Sequence, residues 1–372
     1  MKISIVGTRG IPARYGGFET CVEEISVRLA QRGHRVTVYC VNDSVSDEPR
    51  EYKGVKLVQL PRLRTKASEY VIKTLAATAL ALTSNDEVLH IFGCSRVPMA
   101  FLGRLRGKAT IMTLDGLEWE RSSYPGFARA AMRSYAELAM VYPHVTVTDS
   151  PSSTRWYSER TGIEPTYIPY GTVLSDSVED GVLEKYGLRR NDYILFVGRL
   201  VKEKGVHTLL EAFKTLETDT QLVVIGDAPG GSEYAQELMS LADERVSFLG
   251  AVYGREFESL RNGALVYVHP SLLDGTSIAL LGAMGAGRCV VSSDLKENMD
   301  VAGDAAVYFR KDDATSLRES LDVLLRDPEK MKVCSRKAAE RASELYDWDT
   351  IATHYEKAYE LAVLRLRGRR HS

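Results

Sequence analysis

No apolar run in the 372-residue chain reaches about 18 residues, so no segment is long enough to cross a bilayer as a helix. No CxxC pair occurs either. The five cysteines, Cys21, Cys40, Cys94, Cys289 and Cys334, are odd in number and scattered, which argues against a zinc site and a disulfide framework and for reduced, buried thiols. Basic charge is not in excess: Lys and Arg number 48 and Asp and Glu 50, a formal net charge of −2, so no global attraction to nucleic acid follows. Short-period repeats and low-complexity segments are missing. The first glycine loop, Gly7-Thr8-Arg9-Gly10, lacks GxGxxG, which weakens a nicotinamide-dependent oxidoreductase. Met1-Lys2-Ile3-Ser4-Ile5-Val6 enters a strand at once, without a leader-like segment, and a cytoplasmic protein is expected.

What is present is a regular alternation. Hydrophobic residues make up 44% and charged residues 26%, ordinary for a globular protein with a large core. The length suits two domains of roughly 150–200 residues. In the first half, apolar runs at 3–6, 35–40, 56–60, 87–92, 109–114 and 145–148 read as strands, with helical patterns at 18–32, 68–83, 127–141 and 151–161 between them. After a turn at Ile168-Pro169-Tyr170-Gly171 and a polar stretch, the alternation restarts. Strands are expected at 193–197, 221–225, 246–249, 265–268, 290–292 and 306–309, and helices near 206–217, 232–242, 254–262, 277–286 and 315–326. The fold class is therefore α/β, with two Rossmann-like doubly wound domains, 1–168 and 169–349, facing a cleft. A last helical pattern over 350–372 is expected to pack back on the first domain, and closure is expected about a hinge at 169–190.

Five strand ends carry the candidate chemistry. After Tyr193–Val197 come Gly198, Arg199, Lys204 and Gly205, then a helix: glycine admits close backbone approach and two cations suit a diphosphate. Taken alone, the stretch also reads as a βα loop with two solvated cations. Gly16-Gly17 before a helix offers N–H groups to an anion, or simply a turn. Asp115, Glu118, Trp119 and Arg121 leave a strand end with the carboxylates and aromatic face that bind sugars, or form a surface turn. His90, in an apolar strand, reads better as a satisfied core residue. The stretch 267–285 places Asp274, Gly275, Thr276, Ser277 and Ile278 before an apolar helix, a second anion site or a plain βα unit. Gly226-Asp227 opens one more glycine loop.

GRLVKEKG, IGDAPGG, VSFLG and VYVHPSLLDGTSIALLGAMGAG, in that order, resemble the C-terminal half of GT4-like retaining glycosyltransferases of the GT-B fold. IPYG resembles their interdomain turn. GTRGIPARYGGFET and DGLEWER resemble the subgroup, with a DUF1972-type N-terminal domain, that heads bacterial rhamnosyltransferases of polysaccharide assembly. The resemblance covers nearly the whole chain. It implies an N-terminal acceptor domain and a C-terminal donor domain. Arg199 and Lys204 would grip the donor diphosphate, 276–278 would add backbone donors, and Asp274 would contact the sugar. Gly16 and Gly17 would lie against the same phosphate or the acceptor. Gly198, Asp227 and Gly275 would line the donor site, and Asp115 would stand with the catalytic group. Glu118, Trp119 and Arg121 would meet the acceptor. The donor would be a nucleotide-diphosphate sugar such as dTDP-rhamnose or a UDP-sugar, with no cofactor and no metal, and the acceptor a glycan or lipid-linked hydroxyl.

One departure matters. Eight residues beyond Asp274 stands Gly282, where the resemblance implies a glutamate that holds the ribose. Three readings stay open: a nucleotide held by other groups, as with a deoxyribose donor; an introduced change; or a weakened or non-catalytic homologue acting as a scaffold. Leu114 likewise stands where many such proteins carry histidine. Asp347-Trp348-Asp349 reads as a helix cap rather than a metal motif. Pro61-Arg62-Leu63-Arg64-Thr65-Lys66 before an apolar helix suits peripheral contact with an anionic membrane, or is a solvated loop before a core helix.

Overall fold

A computed structural model describes residues 1–13, 16–41, 50–60, 69–114, 116, 126–228 and 233–368. They form two compact units, Met1–Tyr170 with Trp348–Ser372, and Gly171–Asp347.

The first unit runs β1 (Lys2–Val6), α1 (Gly17–Gln31), β2 (Arg35–Cys40), β3 (Glu51–Tyr52), β4 (Val55–Gln59), α2 (Glu69–Thr83), β5 (Val88–Phe92), α3 (Val97–Leu105), β6 (Ala109–Leu114), α4 (Gly126–Leu138), β7 (Val145–Thr148), α5 (Pro151–Thr161) and β8 (Thr166–Tyr167). Its eight strands lie in the order β3-β4-β2-β1-β5-β6-β7-β8. All neighbours are parallel except the β3–β4 hairpin. β5 and β6 are buried along their whole length, as continuous apolar runs must be when helices cover both faces of a sheet.

The second unit runs α6 (Asp180–Lys185), β9 (Tyr193–Val197), α7 (Val206–Lys214), β10 (Gln221–Ile225), α8 (Glu233–Leu241), β11 (Val246–Gly250), α9 (Gly254–Asn262), β12 (Val266–His269), α10 (Ile278–Gly285), β13 (Cys289–Ser293), α11 (Lys296–Ala302), β14 (Ala306–Phe309), α12 (Ala314–Leu325) and α13 (Pro328–Leu345). Its six strands, all parallel, lie in the order β11-β10-β9-β12-β13-β14. Phe196, Phe213, Leu222, Val268, Leu317 and Leu321 share one core cluster. The chain winds outward from β9 on one side and from β12 on the other. The two strands are neighbours, so their C-terminal ends flank the switch point where ligands bind in open sheets of this kind.

A last helix, α14 (Trp348–Gly368), packs on α1, β5, β6 and β7 of the first unit. It buries Trp348, Ile351, Tyr355 and Tyr359 along one stripe. Its outer turn is tied by Arg32 to Thr353 at 2.9 Å and by His34 to Glu356 at 2.6 Å. His90 is fully buried here, with Nδ1 2.9 Å from the Tyr359 hydroxyl and Nε2 2.8 Å from Thr113 Oγ1. Burial pushes its pKa down to about 3, so the ring is neutral.

Four helices, α3, α6, α11 and α13, lie outside the expected apolar pattern. In the 18-residue α13 the buried stripe is Cys334, Ala338 and Ala342, small side chains among charged ones. Asp327 caps it by accepting from the Lys330 N–H, and Pro328 opens it, which is the legible trace of its start. α14 begins at Trp348 with Asp347 just before it.

Candidate functional site

At the switch point of the second unit, two loops are sewn together by backbone contacts. Gly198 N donates to Ile225 O at 3.0 Å and Leu200 N to Asp227 O at 3.0 Å, fixing the loop after β9 against the end of β10. A short 3-10 turn, Lys202–Lys204, follows. Leu272 N donates to Glu203 O at 2.8 Å, which joins this turn to the loop after β12. Gly205 then starts α7 in the left-handed region, with φ 65°, and a Cβ there would fall 2.0 Å from Pro270 O. Gly226, with φ 147°, is held as tightly: its Cβ would fall 1.8 Å from Gly198 O. Only glycine meets both the backbone angle and the approach at these positions.

This arrangement brings together residues distant in sequence. Lys204 Nζ is 2.6 Å from Asp274 Oδ2, with both side chains largely covered. The same oxygen lies 3.0 Å from His269 Nε2, and His269 Nδ1 lies 3.2 Å from the Tyr267 hydroxyl. Burial alone would raise the Asp274 pKa, but the Lys204 charge and the His269 hydrogen bond hold it well below the usual carboxylate range. Burial pushes His269 down and Tyr267 up. A neutral imidazole that donates from Nε2 to Asp274 and accepts at Nδ1 from Tyr267 satisfies all of these groups. Arg199 differs. It is exposed, and no carboxylate lies within ion-pair distance among the described residues. The same strand end thus holds one pinned cation and one available cation.

Beyond Asp274, Gly275 leads to Thr276 and Ser277, both buried, and α10 begins at Ile278. Ser277 caps the helix, its Oγ accepting from Leu280 N at 3.4 Å. The first turn of α10 therefore lies in the same loop as Asp274, with its positive dipole end beside the Lys204 loop. Asp227 holds the sheet edge together, since its Oδ1 accepts from Ala251 N at 3.1 Å and pins the end of β11. Gly282 is buried on α10, and a Cβ there would stand 3.1 Å from Arg261 Nη1. Burial lowers the Arg261 pKa. Its Nε donates to Asn262 Oδ1 at 3.0 Å. A cation thus borders the position where the resemblance implies an acid.

In the first unit, Gly16 precedes α1 with φ 89° and Gly17 is its first residue. The loop above is drawn over this helix by two carboxylates: Glu19 Oε1 accepts from Arg9 N at 2.9 Å and Glu23 Oε2 from Ala13 N at 2.6 Å. Burial raises the Glu19 pKa against the lowering pull of Arg9. An acid already sits in the first turn beside the glycine pair. Asp115, Glu118, Trp119 and Arg121 lie outside the described residues, as do Pro61–Lys66. Asp149, at the end of β7 and fully buried, accepts from Gly116 N at 3.2 Å.

Sequence reasoning did not single out His269, which partners Asp274, or Asp149, which holds the backbone at Gly116. His269 stands in a strand that reads as apolar, and Asp149 beside a helix start where an acid reads as a cap. A charged or polar residue ending a buried strand at the carboxyl edge of the sheet was the available signal in both cases.

Residues 183–341 match the family model described as glycosyl transferases group 1, and residues 1–173 the one described as a domain of unknown function, DUF1972. The chain is 26% identical over 250 residues to an alpha-maltose-1-phosphate synthase of Mycolicibacterium smegmatis, covering 63% of this chain and 60% of that protein. It is 25% identical over 186 residues to the O-antigen chain mannosyltransferase B of Escherichia coli, covering 48% and 49%. The chain thus matches less than two thirds of the length of either relative. A crystal structure of Anabaena HepE with UDP and glucose superposes with a TM-score of 0.80 at 17% identity, covering 96% of this chain and 98% of that one. The match to group 1 glycosyl transferases thus falls on the second unit and the match to DUF1972 on the first, and the two parallel α/β sheets are those of the GT-B fold.

Proposed function

We propose that the chain transfers a sugar, rhamnose in the first instance, from a nucleotide-diphosphate sugar to a hydroxyl of a glycan or lipid-linked acceptor in polysaccharide assembly. The observation that carries this reading is the exposed Arg199, unpaired among the described residues, beside the Lys204–Asp274 pair and the start of α10. The HepE structure, solved with UDP and glucose, supports a donor of this chemical class. The second unit serves as the donor domain. Arg199 meets the diphosphate, and Lys204 shares its charge between Asp274 and the phosphate. The loop 274–278 adds polar groups toward the sugar, with Gly198, Asp227 and Gly275 shaping its wall.

The chemistry asked of these residues is electrostatic. The bond between the anomeric carbon and the diphosphate oxygen breaks, and a bond from that carbon to the acceptor oxygen forms. The acceptor proton goes to the departing phosphate. Negative charge that develops on the phosphate is stabilised by Arg199, Lys204 and the first turn of α10. The family's retention of anomeric configuration fits this front-side departure. The first unit serves the acceptor. Gly16 and Gly17 face a phosphate or the acceptor, Asp115 assists the transfer, and Glu118, Trp119 and Arg121 bind the acceptor. Peripheral membrane contact through Pro61–Lys66 would place a lipid-linked acceptor within reach.

A second reading is motivated by Gly282 and the Arg261 guanidinium beside it: a nucleotide-sugar-binding homologue that does not turn over. Purified protein incubated with UDP- and dTDP-sugars and a panel of acceptors separates the two. Release of nucleoside diphosphate with transfer of the sugar supports the enzyme. Binding without release under all combinations supports the scaffold.

A further inference from the structure

The first unit carries an exposed apolar face over α2, α3 and α4. In α2 the usual arrangement is inverted. Lys73 is 1% exposed, while Leu75 is 55% exposed, and Ile72, Ala76, Ala79 and Leu80 also point outward. On α3, Phe101 and Leu102 are exposed, and Leu105 is 69% exposed. On α4, Tyr135 and Leu138 are exposed, and Val141 follows them at 53%. These helices are joined into one surface. Thr78 Oγ1 donates to Met99 Sδ at 2.9 Å, linking α2 to α3. Arg104 Nη1 donates to Tyr142 O at 2.8 Å, and Phe101 packs edge-on against Tyr142 with ring centroids 5.3 Å apart, linking α3 to the turn that follows α4. Outward apolar side chains cluster on three helices that contact one another in turn, which marks an interaction site rather than scattered exposure.

The charges around this patch indicate the partner. Arg104, Arg106, Arg129 and Arg133 belong to α3, its following residue and α4, and Glu137 is the one acid of α3 and α4. Glu137 lies 2.8 Å from Arg160 and 3.9 Å from Arg133, one acid shared by two guanidinium groups. A second copy of the chain would bring the same basic rim against this one. A negatively charged lipid surface supplies both hydrocarbon for the leucines and phosphates for the arginines. No described helix is long and apolar enough to cross a membrane, so the contact is with the interface.

We infer that the α2–α3–α4 face docks on the surface of an anionic lipid bilayer. This deepens the reading of a membrane-held acceptor but does not depend on the donor chemistry. The test is flotation of the full chain with phosphatidylcholine vesicles and with vesicles containing phosphatidylglycerol. The chain floats with the anionic vesicles at low salt and is released by high salt. Leu75→Glu with Leu105→Glu lowers the bound fraction about tenfold or more, and Arg106→Glu with Arg129→Glu weakens binding and flattens its salt dependence. Both variants change only exposed side chains and unfold at the wild-type temperature. Three outcomes overturn the inference: no flotation at low salt, undiminished flotation of the Leu75→Glu, Leu105→Glu variant, or a dimer in light scattering that this variant dissociates. Titration of UDP and dTDP into the same proteins keeps the two readings separate, since loss of nucleotide binding with flotation intact counts against the donor site alone.

Discussion

Lys204 Nζ and Asp274 Oδ2 stand 2.6 Å apart although 70 residues separate them in sequence. The pair makes the Lys204 ammonium a structural group as well as the proposed diphosphate contact. Lys204→Ala leaves a covered carboxylate with His269 alone, at a cost of about 3 kcal/mol in stability. Arg199→Ala, at an exposed cation with no carboxylate near it among the described residues, changes stability by less than about 0.5 kcal/mol. Both substitutions depress sugar transfer. Chemical denaturation of the two variants checks the asymmetry, and equal losses would count against it.

The glycines of α10 separate tolerance from collision within one turn. A Cβ at Gly282 meets only the end of the Arg261 side chain, 3.1 Å away, whereas a Cβ at Gly285 meets Thr172 Oγ1 at 2.6 Å and Val173 O at 2.8 Å. Gly282→Ala is therefore near neutral, the helical preference for alanine, about 1 kcal/mol, offsetting a small shift of the guanidinium. Gly285→Ala destabilises by about 2 kcal/mol or more, because the backbone at Val173 must move. Thermal unfolding of both, with Gly181→Ala as an unobstructed control in α6, measures the contrast.

Acid should weaken the fold through its buried histidines. His90, His144 and His269 all have pKa values pushed below the ordinary value by burial, His90 to about 3. The unfolded chain takes up their protons near pH 6.5 and the folded chain does so lower. Stability is therefore complete above about pH 6.5 and falls as pH drops below it, by up to about 1.4 kcal/mol per pH unit for each histidine. For His90 the loss continues toward pH 3. Melting temperature between pH 7.5 and 5 reads this directly, and a flat profile would exclude it.

α14 completes the first unit, so removal of residues 348–372 should unfold it. The helix buries Trp348, Tyr355 and Tyr359, and the Tyr359 hydroxyl partners His90. Burial of such a side chain contributes roughly 1.5–3 kcal/mol. Limited proteolysis of the truncated chain would show cleavage across residues 1–170, and resistance there would contradict the assignment of α14 to this core.

Much of this architecture is legible because parallel strands are buried on both faces. Runs such as Tyr193–Val197 and Ala109–Leu114 stand out as continuous stretches, and Gly198 marks the carboxyl end of the first. The places of Arg199 and the 274–278 loop after buried strands were readable for the same reason. The Lys204–Asp274 contact was not, since the pairing is made by the β9–β12 neighbourhood. His269 and Asp149 were hidden because a buried polar residue has no local signature apart from its partners. In α2, nothing in the local residue pattern signals that Lys73 turns inward and Leu75 outward.

Whether Arg199 and Lys204 hold a diphosphate is decided by calorimetric titration of UDP and dTDP into the wild-type chain, Arg199→Ala and Lys204→Ala. A single diphosphate site is expected in the wild type, with affinity at least about tenfold weaker in each variant, the loss of one charge-assisted contact. Wild-type affinity in both variants would contradict the assignment of these two cations to the donor diphosphate.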